Sequence, residues 1–260
     1  MVEVKAIKQD KFKGVYLFED ATHTYLNTLR RLMNNRVLVM AIDEVKFLEN
    51  SSAMYDEQVA LRLGLISLTT DLDSYMEKSK CKCKGEGCAR CTLDITLNKT
   101  GPCTVYASDL KSKDPAVKAV FPNTPITKLL DGQTLKFEAK AILGNGKTHA
   151  KFVPGFMFYI NVPKFKVKDA KEAKKIAEES NGVLECDGKK LSLVDNSKAD
   201  FAVSLVENNP DAVEVEMLTN DFIVTIESWG QLSLKDLMSR TIEVFDAELD
   251  ELESEIKDLK

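Results

Sequence analysis

The residues of this chain best placed to do chemistry are four cysteines, Cys81, Cys83, Cys88 and Cys91, spaced C-x-C-x4-C-x2-C with Gly85 and Gly87 between the pairs. Two close pairs joined by a short glycine-bearing loop let four thiolates converge on one tetrahedral ion at about 2.3 Å each. The glycines allow the positive-φ turns that a loop wrapped round a metal requires. Four protein ligands leave no position for water, so such a site is structural rather than catalytic. Zinc is the first reading. An iron–sulfur cluster or two disulfides would use the same residues, and the Lys- and Glu-rich composition, a thermophile trait, keeps intracellular disulfides open. Cys103 follows further along and is expected to pack on a strand, with replacement of one ligand as the alternative.

Catalytic material is otherwise scarce. The chain has 2 histidines and no Ser/His/Asp or Cys/His pairing, phosphate-cradling glycine loop or D-x-D-x-D triad. His149 reads as structural, and His23, in the first turn of a helix, is assigned no chemistry. No catalytic residue is expected. A net charge of −5 argues against a protein that itself grips a phosphate backbone, so any contact with DNA is expected to be indirect. At 44% hydrophobic and 30% charged over 260 residues, the composition is globular, with room for one large domain or several small ones. The opening Met1-Val2-Glu3-Val4-Lys5 lacks a signal-peptide core, and no run of about 18 apolar residues occurs. A soluble cytoplasmic protein without a membrane role is the expectation.

The elements around the cysteines follow from periodicity. Residues 2–8 and 12–19 read as strands. An amphipathic helix over residues 21–36 carries Tyr25, Leu26, Leu29, Leu32 and Met33 at helical spacing, with Arg30 and Arg31 beside the stripe. An apolar strand runs from Val37 to Phe47, a helix from Asp56 to Leu63, and alternating strands cover Leu93–Leu97, Cys103–Ala107 and Leu135–Ala141. Pro115, Pro122 and Pro125 make residues 111–131 mostly loop. From Phe165 to Asn220 the composition changes. A Lys/Glu/Ala-rich helix (169–180), a hairpin turning on Asp187-Gly188, a helix (197–207) and a strand (213–217) form a block that looks inserted. It splits one sheet, whose strands are Phe156–Ile160 and Phe222–Ser228. At the end, Met238, Ile242, Phe245, Leu249, Leu252, Ile256 and Leu259 step by 4 and 3 alternately, a heptad seam that calls for a partner helix. Eight acidic residues from Glu243 to Asp258 cover its other faces.

An ordered set of motifs carries a resemblance. Asn27, Leu29, Arg30 and Arg31 fill an N-x-L-R-R helix, Ala41-Ile42-Asp43 and Val45 an A-I-D-x-V strand, and Arg62-Leu63-Gly64-Leu65-Ile66 with Leu68 an R-L-G-L-I-x-L segment. Gly146, His149, Ala150, Lys151 and Phe152 match G-x-x-H-A-K-aromatic. The sequence resembles the alpha-type assembly subunit of multisubunit RNA polymerase, specifically its archaeal D-type form. The resemblance implies an α+β fold: a discontinuous dimerisation domain (1–47, 155–163 and 221–260), an inserted mixed β domain (48–154) with the Cys loop at 81–91, and a ferredoxin-like insert (164–220).

It also implies a non-catalytic scaffold of DNA-directed RNA polymerase. In that family the chain pairs with a smaller subunit L, and the implied contacts here are Leu26, Leu29, Arg30, Arg31 and Met33 with Met238, Ile242, Phe245, Leu249 and Leu252. The small zinc-binding subunits N and P join the pair, and the two large catalytic subunits assemble on it. Eukaryotic relatives bear a four-Cys zinc loop at the same place. Archaeal members often hold an iron–sulfur cluster in the ferredoxin-like block through C-x2-C-x2-C and one further Cys. Here that block contains only Cys186, and one thiol cannot hold a four-iron cluster, so no cluster is expected. The rival readings are a ferredoxin-like redox protein, a zinc-ribbon nucleic-acid-binding module and a bacterial-type homodimer.

Overall fold

A computed structural model of the chain describes residues 2–188 and 190–259. The strands β1 (Glu3–Gln9) and β2 (Lys13–Glu19) lead to helix α1 (His23–Asn35), strand β3 (Val39–Asn50) and helix α2 (Asp56–Gly64). After a long irregular stretch come β4 (Leu93–Thr100), β5 (Cys103–Tyr106), β6 (Lys111–Ser112), β7 (Pro125–Leu129) and β8 (Thr134–Gly144). The remainder is β9 (Gly155–Val167), α3 (Ala170–Glu179), β10 (Leu184–Asp187), β11 (Lys190–Leu193), α4 (Ala199–Glu207), β12 (Val213–Ser228) and α5 (Leu234–Asp258). The result is a mixed α+β fold built on antiparallel pairs. It divides into two units: one runs through Arg30 and from Met157 to Glu227, the other from Arg31 to Phe156 and from Ser228 onward.

In the first unit the sheet order is β1-β2-β12-β9. The antiparallel β2–β12 pair sets Phe18 opposite Phe222 and Val15 opposite Thr225. Phe222 to Ile226 are buried on consecutive positions, which requires cover on both faces of a central strand. The sequence reads β12 as two elements separated by the polar Thr219-Asn220-Asp221. The structure corrects this to a single strand of 16 residues. Its polar middle stays extended because its carbonyls are used: Asn220 O accepts from Ala21 N at 2.8 Å and Leu218 O from Asn161 Nδ2 at 2.6 Å. Ion pairs Lys166–Glu216 (2.8 Å) and Lys168–Glu214 (3.7 Å) tie the end of β9 and the residue just after it to the N-terminal part of β12. The block between these strands has its own core, including Ala173, Ile176, Leu184, Leu191, Ala202 and Val206. Its first helix is capped by Asp169, whose carboxylate accepts from the N–H of Lys171 and Glu172.

In the second unit β3-β8-β4-β6 form one sheet and β5-β7 a two-stranded ribbon. Apolar residues from α2, β4, β7 and β8, with Phe137 and Ile95 fully buried, make one core. β3 is buried without interruption from Val39 to Ile42 and then meets solvent. The change coincides with a bulge at Asp43, whose Oδ1 accepts from Lys151 Nζ at 2.7 Å. Two of the motifs noted above, A-I-D and H-A-K, therefore meet as one ion pair across 108 residues of chain. His149 is structural in the same turn: its Nδ1 accepts from Lys151 N at 3.1 Å.

Residues 125–129, expected to be loop, form β7. Proline is tolerated as the first residue of a strand, where its missing N–H breaks no ladder, and Ile126 and Leu129 then point into the core at 1% and 0% exposure. The end of α1 is held by the turn after β8, with Lys147 N donating to Asn35 O at 3.2 Å. A Cβ on Gly146 would lie 1.9 Å from Asn34 O, so only glycine lets these backbones approach.

Gly146→Ala should therefore destabilise the fold by about 1–3 kcal/mol, the range for overpacking a filled site. Gly64→Ala, whose new methyl would find its nearest neighbours at 3.6 and 3.7 Å, should be neutral or stabilising by about 0.5–1 kcal/mol. Urea unfolding of both variants checks the pair, and equal effects would refute the packing argument.

Candidate metal centre and assembly surfaces

The cysteine loop is closed by Met76 N donating to Arg90 O at 2.9 Å. Inside it, successive tight turns run Lys84 N to Cys81 O (3.0 Å), Glu86 N to Cys83 O (3.1 Å) and Cys91 N to Cys88 O (2.9 Å). Gly85 and Gly87 take φ values of +87° and +91°, the left-handed turns their residue type permits. These turns bring the four sulfurs within 4.8 Å of one another. Cys81 and Cys88 Sγ are 3.5 Å apart, Cys83 and Cys91 3.5 Å, and Cys88 and Cys91 3.8 Å. Four ligands at about 2.3 Å on a tetrahedral ion stand about 3.8 Å apart, whereas a disulfide needs about 2.05 Å. The set fits a single ion, and all four thiols are free.

Electrostatics divide the four. The Cys83 thiol is lowered to about 6, first by the N–H of Gly87 and then by its bond with Cys81. Cys91, 1% exposed, is pushed up to about 12, first by desolvation. A cation is what makes a buried thiolate acceptable there. Cys103 lies outside the cluster, on β5 opposite Leu129, and Cys186 is on β10 opposite Leu191. Next to the loop, Tyr75 Oη donates to Asp114 Oδ2 at 2.8 Å, and its hydroxyl is pushed up to about 12, first by burial and then by that carboxylate.

The residues expected at a partner surface fall into two groups. Leu26, Leu29 and Met33 are 0–1% exposed. The apolar contact expected of them toward another chain is used inside this one, a distinction helical spacing alone does not make. Arg30 is half-buried and donates to Asn27 Oδ1 at 2.8 Å, and Arg31 is exposed. On α5 the picture reverses. Leu234, Leu237 and Thr241 are buried, whereas Ile242, Leu249, Leu252 and Ile256 are 44–52% exposed, with Met238 and Phe245 intermediate. The helix is pinned at its base and by Arg36–Glu248 at 2.8 Å.

Sequence reasoning missed the buried Gln231 and the half-buried Asn34, whose enclosed Oε1 and Oδ1 have no hydrogen-bond partner among the described residues. No sequence signal marks an unpaired amide. A hollow of about 780 Å³ beneath α5 is lined by Arg36, Leu72, Met76, Arg240 and Glu248 among others, without histidine or cysteine. No helix among the described residues is long and apolar enough to cross a membrane.

The described residues combine antiparallel sheets, a loop of four clustered thiols and a helix whose apolar stripe is open to solvent. Residues 45–156 match the family described as the RNA polymerase Rpb3/RpoA insert domain. Along its length the chain is similar to DNA-directed RNA polymerase subunit Rpo3 of Archaeoglobus fulgidus, 33% identical over 265 residues and covering 100% of both chains. It is likewise similar to Rpo3 of Methanosarcina acetivorans, 33% identical over 258 residues (96% of this chain, 97% of the relative). With Rpo3 of Pyrococcus furiosus it is 33% identical over 263 residues (99% and 97%). The chain belongs to the Rpo3 family, and is a non-catalytic assembly subunit of a DNA-directed RNA polymerase.

Replacing Cys88 with Ser should abolish binding of one divalent metal per chain, measured by elemental analysis after gel filtration, while Cys103→Ser should leave it intact. Binding must displace protons from the thiols that are still protonated. Affinity should therefore fall as pH drops, by about tenfold per pH unit for each thiol deprotonated. Metal content equal in both variants would show that the four cysteines are not the site.

Proposed function

We propose that this chain fills the place of the archaeal D-type assembly subunit in its polymerase. It forms a heterodimer with a smaller alpha-like chain, subunit L; subunits N and P join that pair, and the two large catalytic subunits assemble on it. The dimerisation domain comprises residues 1–47, 155–163 and 221–260, the insert 48–154 carries structural zinc on Cys81, Cys83, Cys88 and Cys91, and residues 164–220 form the ferredoxin-like domain. Zinc is favoured over other ions because borderline-soft Zn²⁺ takes four thiolates in tetrahedral geometry without redox chemistry. It would hold the loop closed and take no part in catalysis.

The observation that carries the reading is the open α5 seam. Ile242, Leu249, Leu252 and Ile256 lie on one stripe, each roughly half exposed, on a helix of 25 residues. An obligate interface drawing on such a helix and on the flank of α1 would bury on the order of 2,000 Å² or more. Arg30 and Arg31 would meet carboxylates or carbonyls at its edge, since an unpaired buried guanidinium is costly, while Leu26, Leu29 and Met33 hold α1 in place from within.

Co-expression with the smaller alpha-like subunit tests this. The pair should co-elute, and Leu249→Asp with Leu252→Asp should abolish co-elution while leaving the fold of the lone chain intact. Arg30→Ala or Arg31→Ala should lower the yield of assembled polymerase without changing the specific activity of what assembles. A lone chain that stays monomeric and indifferent to the smaller subunit would refute the heterodimer. An Arg variant that assembles normally but is catalytically dead would show that α1 has another role.

A further inference from the structure

The four sulfurs of the cysteine loop differ in access. Cys81 and Cys91 are buried, whereas Cys83 and Cys88 are half-buried and open to a small solute. Each half-buried sulfur has a buried one close behind it: Cys88 lies 3.5 Å from Cys81, and Cys83 lies 3.5 Å from Cys91. These two pairs share no residue and use up the whole cluster. The other close approach, Cys88 to Cys91 at 3.8 Å, would leave Cys81 and Cys83 with only each other. Cys103 and Cys186 sit on β5 and β10, outside the cluster.

A thiolate that an oxidant can reach, with a second thiol poised to resolve the product, is the arrangement of a redox-sensitive cysteine pair. Holding a metal ion, all four residues would already be thiolates. The loop can also follow the change. Closing a pair from 3.5 Å to the roughly 2.05 Å of a disulfide brings its sulfurs about 1.5 Å nearer. Between Met76 and Thr92 only Cys81 and Cys91 are buried, so no packed core resists that movement. Gly85 and Gly87, at positive φ, keep the chain between the pairs adjustable.

We propose that the four-cysteine loop is a reversible oxidation site: a hydroperoxide converts it into two disulfides, Cys81–Cys88 and Cys83–Cys91, and the metal it holds is released. The inference rests on the metal reading above and deepens it. The Cys88 thiolate attacks the terminal peroxide oxygen, the O–O bond breaks, alkoxide or hydroxide departs, and Cys88 becomes a sulfenic acid. The Cys81 thiolate then attacks that sulfur, expelling hydroxide and forming the S–S bond. Cys83 and Cys91 react in the same way with a second hydroperoxide. Each pair of thiolates gives up two electrons to one O–O bond, and the four anions released take protons from water. No thiolate then remains to hold zinc, and a dithiol that returns the electrons restores the set.

The test uses the full chain loaded with zinc, its metal content measured first. Hydrogen peroxide should release about one zinc per chain to a chromogenic chelator, in step with the loss of the four thiols. Dithiothreitol with fresh zinc should restore both. The sequence makes the pairing readable, because trypsin cleaves after Lys80, Lys82, Lys84, Arg90 and Lys99 and so puts each of the four cysteines on its own peptide. Non-reducing mass spectrometry should find peptide 81–82 joined to peptide 85–90, and peptide 83–84 joined to peptide 91–99. Cys91→Ser should leave on Cys83 a sulfenic acid that a 1,3-diketone traps, and Cys103→Ser should behave as wild type throughout. The wild-type map decides the pairing whether or not the Cys91→Ser loop keeps its shape. Zinc and thiols that survive peroxide would overturn the proposal. So would oxidation to sulfinic acid, which dithiothreitol does not reverse, or a map joining Cys81 to Cys83 and Cys88 to Cys91. A chain that holds no metal before treatment would instead sink the metal reading, and the release step with it.

Discussion

The pairing of β2 with β12 is the constraint on which the first unit depends. It joins segments about as far apart as the chain allows: Asp20 N donates to the Asp221 carboxylate across 201 residues, and Lys13 pairs with Glu227 across 214. Closing so long a loop is less costly than it looks, because each doubling of length adds only about 0.6 kcal/mol. The return is a central strand whose residues Phe222 to Ile226 are all buried. Once that pair is fixed, the intervening chain is free to make excursions that fold on their own cores. The block around Ile176 and Val206 and the larger core around Phe137 are such excursions.

Single elements were legible where their signals are local, and the places where elements join were not. Alternation located β4 and β8, and a Lys/Glu/Ala-rich run located α3, because each signal is local. β12 was hidden because Thr219-Asn220-Asp221 has the composition of a turn, and only partners in other strands keep it extended. β7 was hidden because prolines were weighed as breakers, although the first position of a strand has no ladder bond for Pro125 to lose. The four cysteines were legible as a group since their spacing is itself the constraint. On α1, Leu26, Leu29 and Met33 marked an apolar face correctly, yet whether such a face meets its own chain or another is a tertiary fact that periodicity does not encode. The Asp43–Lys151 pair was present in two motifs, and nothing in either one names the other.

The cysteine loop has no hydrophobic means of holding its shape. From Met76 to Thr92 only Cys81 and Cys91 are buried, and the loop's hydrogen bonds are mostly between its own turns. Ordering each residue costs roughly 1–2 kcal/mol, and two buried thiols do not offset that over such a length. A shared ion on the four sulfurs would supply a large share of it, with apparent binding free energies of about 10–16 kcal/mol for structural zinc sites. The Tyr75–Asp114 bond fixes where the loop leaves the core, and a shared ion would fix its fold.

The same reasoning applies to α5 with the opposite sign. Its first two turns are anchored by Leu234, Leu237 and Thr241, and beyond Thr241 no described residue is buried. The stretch from Glu243 to Asp258 carries eight acidic residues and one lysine, Lys257, which pairs with Glu253 at 2.8 Å. A segment of this length is marginal as an isolated helix in water, and like charges a turn apart weaken it further. Its apolar stripe and its acidic faces would both be served by one kind of neighbour: a helix with an apolar seam of its own, edged by cations. Such a neighbour would cover Ile242, Leu249, Leu252 and Ile256 and relieve the repulsion in a single contact, so the helix and the interface would form together.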